Sequence, residues 1–264
     1  MDRSAEEELG SFGSRISMLR PEVVVDLTCY QLESARSLVG SLRGQVQHFL
    51  HCGTIWVHGR TIESPVTEDQ PRHPISDYGR RKLAIEEFLL NEARQNGFPA
   101  TVLHPGHLVG PGWVPLNPVA NFNQQVFSDL SQGREVALPN IGMETVHHVH
   151  AEDVAQAFRC AMRSWSAAIG ESFHIVSPAA ITLAGYAETV AGWFGQTAKL
   201  RFLPWNEWRT TVTEREAEIT WDHIARSPNC SIEKAKRLLG YQPRYRSMEA
   251  VRESVMQLCL TNAP

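Results

Sequence analysis

The sequence predicts an α/β fold built on a doubly wound parallel sheet, and three observations support this prediction. Short apolar runs rich in β-branched residues alternate with helical patterns through the first half of the chain. Each succession of strand, helix and strand takes about 30 residues, the length of a βαβ unit with two parallel strands. Small or polar residues follow the apolar runs, as at Gly53 and Thr54, and open sheets of this class bind ligands at those strand ends.

The first unit begins at residues 22–27, whose run of valines is typical of a strand buried on both faces. Residues 32–42 carry apolar side chains at helical spacing and predict a helix, and residues 48–54 predict the second strand. A longer helix is expected over 76–96, leading into a short buried strand at 100–103. The strand ends at Thr28-Cys29, Gly53-Thr54 and 104–107 should therefore line one edge of the sheet.

The pattern becomes less regular beyond Gly112, so we divide the chain into residues 1–112 and residues 113–264. Residues 1–20 are polar and weakly patterned, and no element is predicted there. The second part is expected to complete the sheet; its predicted helices are 121–130, the segment after 150, 183–194, 231–239 and 247–260, and its predicted strands are 135–139, 145–150, 172–176 and 200–203.

The bulk properties exclude several classes of partner. A formal charge of −4 and a pI near 6.3, without an extended basic run, argue against binding to nucleic acid or acidic lipid. The five cysteines are scattered without CxxC spacing, which argues against a disulfide framework and favours a cytoplasmic location. No stretch approaches the ~20 apolar residues of a membrane span, so no membrane association is predicted.

Tyr78 and Lys82 form the first candidate site. They lie four residues apart at the start of the predicted helix, so their side chains share one face. An ammonium near a phenol favours the phenolate and lowers its pKa, which suits the pair to proton transfer. Taken alone, the same spacing also describes an ordinary helix surface.

Two further groups have competing interpretations. His147, His148 and His150 suggest a metal site, but only His148 and His150 share a strand face and no carboxylate or thiol is placed to complete a site, so no metal is predicted. Trp205, Trp208 and Trp221 are expected in an aromatic core.

Five stretches in the expected order resemble motifs of the extended short-chain dehydrogenase/reductase family, which includes nucleotide-sugar epimerases and dehydratases. Residues 78–82 resemble the YxxxK motif; residues 52–59, CGTIWVHG, resemble SSxxxVYG; residues 103–112, LHPGHLVGPG, resemble RPxxVYGPG; residues 149–155, VHAEDVA, resemble VHVDDVA; and residues 231–243 resemble the terminal KAxxxLGxxP element. The resemblance implies a Rossmann-like cofactor domain in residues 1–112 and a smaller α/β substrate region in 113–264.

One motif of that family has no counterpart in this sequence. The family opens with a glycine-rich GxxGxxG turn whose amides hold the cofactor pyrophosphate, and no stretch matches it. By the resemblance, residues 22–29 correspond to the family's fourth strand, so we expect an N-terminally truncated sheet with an exposed strand edge. Either Met1 is an internal start, or dinucleotide binding has been lost.

The resemblance assigns catalysis to Thr54, Tyr78 and Lys82. Tyr78 would be the general acid and base, Thr54 would hydrogen-bond the same substrate oxygen, and Lys82 would lower the pKa of the phenol and bind the cofactor ribose. The cofactor would be NAD or NADP, with contacts from Thr28, Cys29, Tyr78, Lys82, Pro105, Gly106, His107 and Leu108. Substrate contacts are expected from His58, His107, Asn121 and His223.

The implied activity is an NAD(P)-dependent oxidoreductase or epimerase that acts on a sugar nucleotide or another small carbonyl or hydroxyl compound. Dehydratases commonly place an acidic pair after the threonine, and Ile55-Trp56 offers none, which disfavours that reaction. The alternative is a non-catalytic homologue that keeps the fold for binding or oligomer assembly. A homodimer, formed in the family through the helix that carries YxxxK, is expected under both interpretations.

Overall fold

The computed structural model describes residues 2–261, with side chains described to Leu258. The helices are α1 (Arg3–Glu8), α2 (Phe12–Met18), α3 (Leu32–Leu42), α4 (Asp77–Asn96), α5 (Gln125–Ser131), α6 (Ala151–Arg163), α7 (Trp165–Ala168), α8 (Leu183–Trp193), α9 (Trp205–Trp208), α10 (Glu214–Ile224), α11 (Glu233–Leu239) and α12 (Ser247–Thr261). The strands are β1 (Val23–Asp26), β2 (His48–Cys52), β3 (Ala100–Pro105), β4 (His107–Val109), β5 (Glu135–Pro139), β6 (Thr145–Val146), β7 (His148–His150), β8 (Ser172–Ile175), β9 (Ile181–Thr182) and β10 (Lys199–Leu203).

The central sheet is parallel and has the strand order β1, β2, β3, β8. The predicted α/β architecture is therefore confirmed for the described residues. Because all four strands run in the same direction, their carboxyl ends meet at one edge. Thr28, Thr54 and His107 follow three of these strands, as the sequence predicted.

Helices cover both faces of the sheet, which explains why successive residues of its inner strands are buried, except for the half-buried Cys52 at the end of β2. Phe49 of β2 packs with residues of α3 and α4, including Leu38 and Ile85. Its neighbour Leu50 points to the opposite face and packs with α6 residues such as Phe158. This alternation fixes α4 on one face of the sheet, with its first turn at the edge where the strands end.

The C-terminal half contributes a separate apolar cluster and several small sheets. Strands β5 and β10 pair in parallel, β4 pairs in parallel with β7, and β6 pairs antiparallel with β9. Their side chains pack with α5, α8 and α12 around the fully buried Tyr186 and Trp208. The segment that follows β3 therefore leaves the central sheet and leads into this second layer.

The valine run at β1 is the main departure from the predicted fold. It forms a strand, but the prediction that this strand is buried on both faces is wrong. Val23 and Val25 are 40% and 41% exposed, and Leu27 is 53% exposed, because β1 is an edge strand and no described element covers that face beside it. The expected exposed strand edge is present. Val24, on the other face, contacts the cluster beneath α3.

At the opposite edge of the sheet, side chains form hydrogen bonds with backbone groups of β8. The Glu68 carboxylate accepts a hydrogen bond from the His174 backbone N–H at 2.8 Å, and the Lys234 ammonium donates to the Ser172 carbonyl at 2.9 Å. These two charged groups take the places that a neighbouring strand would fill. The two edges of the sheet therefore differ in how their backbone groups are satisfied.

Several element boundaries differ from the sequence prediction. Residues 1–20 were not assigned an element, yet they hold α1 and α2, and α2 packs on α3. The helix expected from Asn121 begins only at Gln125, because the amides of Asn117, Asn121 and Asn123 bond one another and the local backbone. The strand predicted over 145–150 is divided between β6 and β7.

A pair of substitutions in β1 tests whether its outer face is uncovered. Val25→Lys should reduce aggregation with little change in the melting temperature, because the new ammonium lies in solvent and protects an open edge. Val24→Lys should lower the melting temperature strongly, since it buries a charge against the cluster beneath α3. Light scattering and thermal unfolding of both variants give the comparison, and equal destabilisation by both would contradict the exposed face.

Candidate active site

Thr54 and Tyr78 approach each other where β2 ends and α4 begins. Ser76 is the N-cap of α4 and accepts a hydrogen bond from the Gly79 N–H at 3.3 Å, which starts the helix at Asp77. A side chain at Gly79 would place its Cβ 2.6 Å from the Trp56 carbonyl, so glycine permits α4 to lie directly on the turn after Thr54. The phenol of Tyr78 is thereby brought beside the Thr54 hydroxyl.

Lys82 lies one turn further along α4 and is buried. Its ammonium donates to the Cys29 carbonyl at 2.8 Å and to the Cys52 carbonyl at 2.8 Å. The ring of Tyr30 lies over the same ammonium, 4.7 Å from its centroid. Burial lowers the pKa of Lys82 from its ordinary value. The side chain therefore joins the ends of β1 and β2 to the helix that carries Tyr78.

The pKa of Tyr78 moves in the direction opposite to the one expected from Lys82. Burial raises the pKa of the phenol to about 12, and the neighbouring Thr54 hydroxyl opposes this rise only in part. The Lys82 ammonium donates to the two backbone carbonyls instead, and burial dominates the pKa of the phenol. In this arrangement the Tyr78 phenol is protonated at neutral pH and available as a hydrogen-bond donor.

A buried polar network fixes the backbone behind Thr54. The Thr54 N–H donates to His104 Nδ1 at 3.0 Å, so the proton of this imidazole is on Nε2, which lies 3.0 Å from Glu86. Arg72 pairs with the same carboxylate oxygen at 2.9 Å. Gly53 is required by close packing, since a Cβ there would lie 2.6 Å from His104 Nδ1. His104 thus positions the backbone at the end of β2.

The predicted cofactor residues also lie at this edge. Thr28 is exposed and Cys29 buried at the end of β1, and residues 105–108 connect β3 to β4. Gly106 is tightly packed, because a Cβ there would lie 2.5 Å from the His147 carbonyl. The Arg3 guanidinium reaches the end of β1, where it pairs with Asp26 and donates to the Thr28 hydroxyl at 3.3 Å.

Two of the predicted substrate residues, His107 and His223, form a pair beside a cleft. Their Nε2 atoms are 2.9 Å apart, and His223 Nδ1 donates to the Ile219 carbonyl at 2.7 Å, so His223 Nε2 accepts a hydrogen bond from the His107 Nε2–H. Burial lowers the pKa of His107 to about 4, and burial with the neighbouring His107 lowers that of His223 well below its ordinary value. Both imidazoles are therefore neutral at pH 7.

The cleft has a volume of about 600 Å³ and opens next to Trp56. The Trp56 ring meets the Tyr78 ring at 5.8 Å and the His223 ring at 4.9 Å, both edge to face. Trp56 therefore contacts both the Tyr78 ring and the His223 wall of the cleft. The lining residues are Trp56, Phe122, Arg215, Glu218, Ile219, Trp221, Asp222 and His223.

Trp221 and Arg226 were not predicted as site residues. Trp221 is 44% exposed in the cleft, so its expected place in an aromatic core is wrong, whereas Trp208 is in the core as predicted. Arg226 lies over the Trp56 ring at 3.9 Å and bonds both Asp222 and the α4 cap Ser76. No sequence pattern links Arg226 to Ser76, which is 150 residues earlier.

His58 and Asn121 do not line the cleft. His58 is buried with its Nε2 2.7 Å from His174 Nε2. Asn121 bonds Asn117 in its own loop and Thr220 on α10. The resemblance would have these two residues bind a substrate, but here their polar atoms mainly form hydrogen bonds within the protein.

The three neighbouring histidines each have protein partners. His147 bonds the Ser177 carbonyl, His148 bonds the Leu116 carbonyl, and His150 pairs with Glu253. Among the described side chains of residues 2–258, no group of histidine, cysteine and carboxylate side chains is arranged to hold a metal ion. No helix in the same range is long and apolar enough to cross a membrane.

A family model matches the part of the chain that forms these strand ends. Residues 18–175 match the NAD dependent epimerase/dehydratase family, and because that range is more than half of the chain, the protein belongs to this family. The family and fold class predicted from the sequence are therefore confirmed. Dependence on NAD is a property of that family.

Curated relatives match over part of their length. A dTDP-D-glucose 4,6-dehydratase of Bos taurus is 26% identical over 114 residues, which are 43% of this chain and 31% of the relative. The chloroplast stem-loop binding protein of 41 kDa b of Arabidopsis thaliana is 25% identical over 234 residues, 88% of this chain and 57% of the relative. The chain thus spans between about a third and three fifths of these relatives.

Solved structures share the fold at low identity. The UDP-glucose 4-epimerase of Thermotoga maritima with UDP-glucose has a TM-score of 0.72 and 21% identity, covering 96% of this chain and 82% of that one. The dTDP-glucose 4,6-dehydratase of Bacillus anthracis in complex with NAD has a TM-score of 0.72 and 16% identity, covering 95% and 77%. Both likenesses concern the fold.

The residues at the strand ends fit one half of a dinucleotide. Tyr78 presents a 40% exposed ring beside Lys82, which suits a nicotinamide ribose. The sequence has no GxxGxxG turn, so the backbone N–H groups that usually bind the diphosphate half of the cofactor are absent from it. Arg3, a second cation near the end of β1, is already paired with Asp26.

Buried histidines should make the fold sensitive to acid. Burial lowers the pKa of His107 and His147 to about 4 and that of His58 to about 3, while the unfolded chain titrates near 6.5. The unfolded state therefore binds more protons below pH 6.5. Each such histidine should lower the free energy of unfolding by about 1.4 kcal/mol per pH unit down to its folded pKa.

Thermal unfolding between pH 8 and pH 4 measures this effect. The melting temperature should fall once the pH drops below about 6.5, and His147→Gln should make the fall shallower. The exposed His73 provides the control, because His73→Gln should leave the profile unchanged. A melting temperature that stays constant down to pH 4 would contradict the buried neutral histidines.

Proposed function

We propose that this protein is an NAD(P)-dependent oxidoreductase or epimerase in which Tyr78 exchanges a proton with a substrate hydroxyl or carbonyl. The substrate is a sugar nucleotide or another small carbonyl or hydroxyl compound. The observation that carries the proposal is the meeting of Tyr78 and Thr54 beside the cleft, on a helix anchored by Lys82. Membership of the epimerase/dehydratase family supports the same reaction class.

Each residue has a defined part in the proposed reaction. Tyr78 donates or accepts the proton, and Thr54 hydrogen-bonds the same substrate oxygen, which orients it toward the phenol. Lys82 binds the ribose hydroxyls of the cofactor when its ammonium leaves the strand-end carbonyls. The bound nicotinamide supplies or accepts the hydride. Because burial raises the pKa of Tyr78 to about 12, the phenol keeps its proton and can donate a hydrogen bond before Lys82 turns toward it.

The predicted strand-end residues complete the proposal. Thr28 and Cys29 would contact the cofactor from β1, and the backbone of Pro105, Gly106 and Leu108 would face the nicotinamide. His107 and His223 are assigned to the substrate, because the pair borders the cleft next to Trp56. His58 and Asn121 have less support, since both are bonded within the protein.

A homodimer is part of the same proposal. By the resemblance it forms through α4 and its neighbour α3, which lie side by side on one face of the sheet. Analytical ultracentrifugation determines the mass directly, and a monomer at all concentrations would remove this part of the proposal without affecting the proposed chemistry.

Tyr78→Phe tests the catalytic assignment, because it removes the hydroxyl and keeps the ring. Turnover should fall at least about a hundredfold while nicotinamide affinity changes little, since general acid–base catalysis contributes about 10² to 10⁴. The assay follows absorbance of the reduced nicotinamide during oxidation of a panel of free and nucleotide-linked sugars. Tyr245→Phe is the matched control, because Tyr245 bonds Glu152 away from the cleft. Undiminished turnover by Tyr78→Phe would remove Tyr78 from this role.

A further inference from the structure

Tyr30 lies over the ammonium of Lys82, although the sequence did not indicate it as a site residue. Its ring centroid is 4.7 Å from Lys82 Nζ, and it meets the Tyr78 ring at 6.4 Å in a tilted arrangement. Lys82 is only 2% exposed, whereas Tyr30 is 51% exposed. The Tyr30 ring therefore lies between the ammonium and the solvent at the edge where the strands end.

Backbone groups occupy the other contacts of this ammonium. It donates to the Cys29 and Cys52 carbonyls at 2.8 Å each, at the ends of the neighbouring strands β1 and β2. Neither carbonyl can move aside without disturbing the strand end that carries it. A ligand hydroxyl therefore approaches Lys82 from the side that Tyr30 covers.

The Tyr30 side chain can move while its backbone stays in place. Cys29, on one side of it, is fully buried. Gln31, on the other side, is the N-cap of α3, and its carbonyl accepts a hydrogen bond from the Ala35 N–H at 3.2 Å. A cation–π contact is weak at an exposed site, and exposed side chains change rotamer within nanoseconds. Rotation of this one side chain is therefore enough to uncover the ammonium.

We propose that Tyr30 is a positioning residue of the cofactor site, whose ring covers Lys82 and rotates away from the ammonium when a ribose hydroxyl binds there. The inference rests on the proposed function, because it takes Lys82 as the residue that binds the ribose. It adds a step that precedes the movement of the ammonium. A site that is open for only a fraction of the time binds its ligand more weakly by that fraction. Removal of the ring should therefore strengthen cofactor binding.

Brief acetylation with acetic anhydride measures access to Lys82 without requiring a cofactor. The protein is digested afterwards, and acetylation of each lysine is quantified by mass spectrometry. Tyr30→Ala should be acetylated at Lys82 about fivefold faster than the unsubstituted protein, because both the covering ring and its cation–π contact are lost. Tyr30→Phe keeps the ring and should match the unsubstituted protein. The exposed Lys199 should be acetylated at the same rate in every variant.

Fluorescence titration with NADH tests the link between Tyr30 and the cofactor. Tyr30→Ala should bind NADH about threefold or more tightly than the unsubstituted protein, and Tyr30→Phe should bind it equally. Trp165→Ala is the matched control, because it also removes a half-exposed ring, 56% exposed on α7. It should change neither the acetylation of Lys82 nor the affinity for NADH.

Unchanged acetylation of Lys82 in Tyr30→Ala would overturn the proposal, because the ring would then not control access to the ammonium. Where NADH binds the unsubstituted protein, equal or weaker binding by Tyr30→Ala would also overturn it, since the ring would not have to move before the cofactor binds. A failure of the proposed function gives a different result. Faster acetylation of Lys82 in Tyr30→Ala, with no NADH binding by any variant, would support the cover over Lys82 and contradict the cofactor assignment.

Discussion

The buried ammonium of Lys82 is the interaction on which the site depends. It satisfies the carbonyls of Cys29 and Cys52, which follow or end neighbouring parallel strands. Buried carbonyls without partners are unfavourable, so this bond fixes the rotation of α4 relative to the sheet. Since Tyr78 shares a face of α4 with Lys82, the same rotation brings the phenol to Thr54.

The acidity of Tyr78 depends on where the Lys82 ammonium lies. While Lys82 is held by two carbonyls beneath Tyr30, burial dominates the environment of Tyr78 and its pKa is raised to about 12. Movement of the ammonium toward a ribose would bring positive charge closer to the phenol and lower its pKa. The proposed activity therefore couples cofactor binding to the acidity of Tyr78 through one lysine.

Local patterns predicted most of the fold, and distant contacts account for what they missed. The bounds of α3 and the caps of α4 follow from residues close in sequence, such as Ser76 and Gly97. The valines of β1 predicted a fully buried strand because they are apolar. Their actual burial depends on whether another element covers them, and a local sequence pattern does not show this. Helix α2 was missed because its weak pattern is stabilised by packing on α3.

The candidate site was predictable where reactive side chains occur at a spacing that local sequence patterns can reveal. Tyr78, Lys82 and Thr54 lie at helix and strand ends whose positions the sequence indicates. Arg226 and the exposed face of Trp221 were not foreseeable, since their roles come from the approach of α10 to the start of α4. The two backbone carbonyls that hold Lys82 could not be foreseen, because no side-chain pattern reveals them.

Titration of the chain with NADH and NADPH, followed by fluorescence, measures whether Lys82 helps to hold a nicotinamide cofactor. We expect binding with a dissociation constant below ~1 mM, at least about tenfold weaker in Lys82→Met and unchanged in Lys199→Met, which removes an exposed ammonium of β10. Failure of both nicotinamides to bind below ~1 mM, or equal affinity in Lys82→Met, would show that Lys82 does not hold the cofactor.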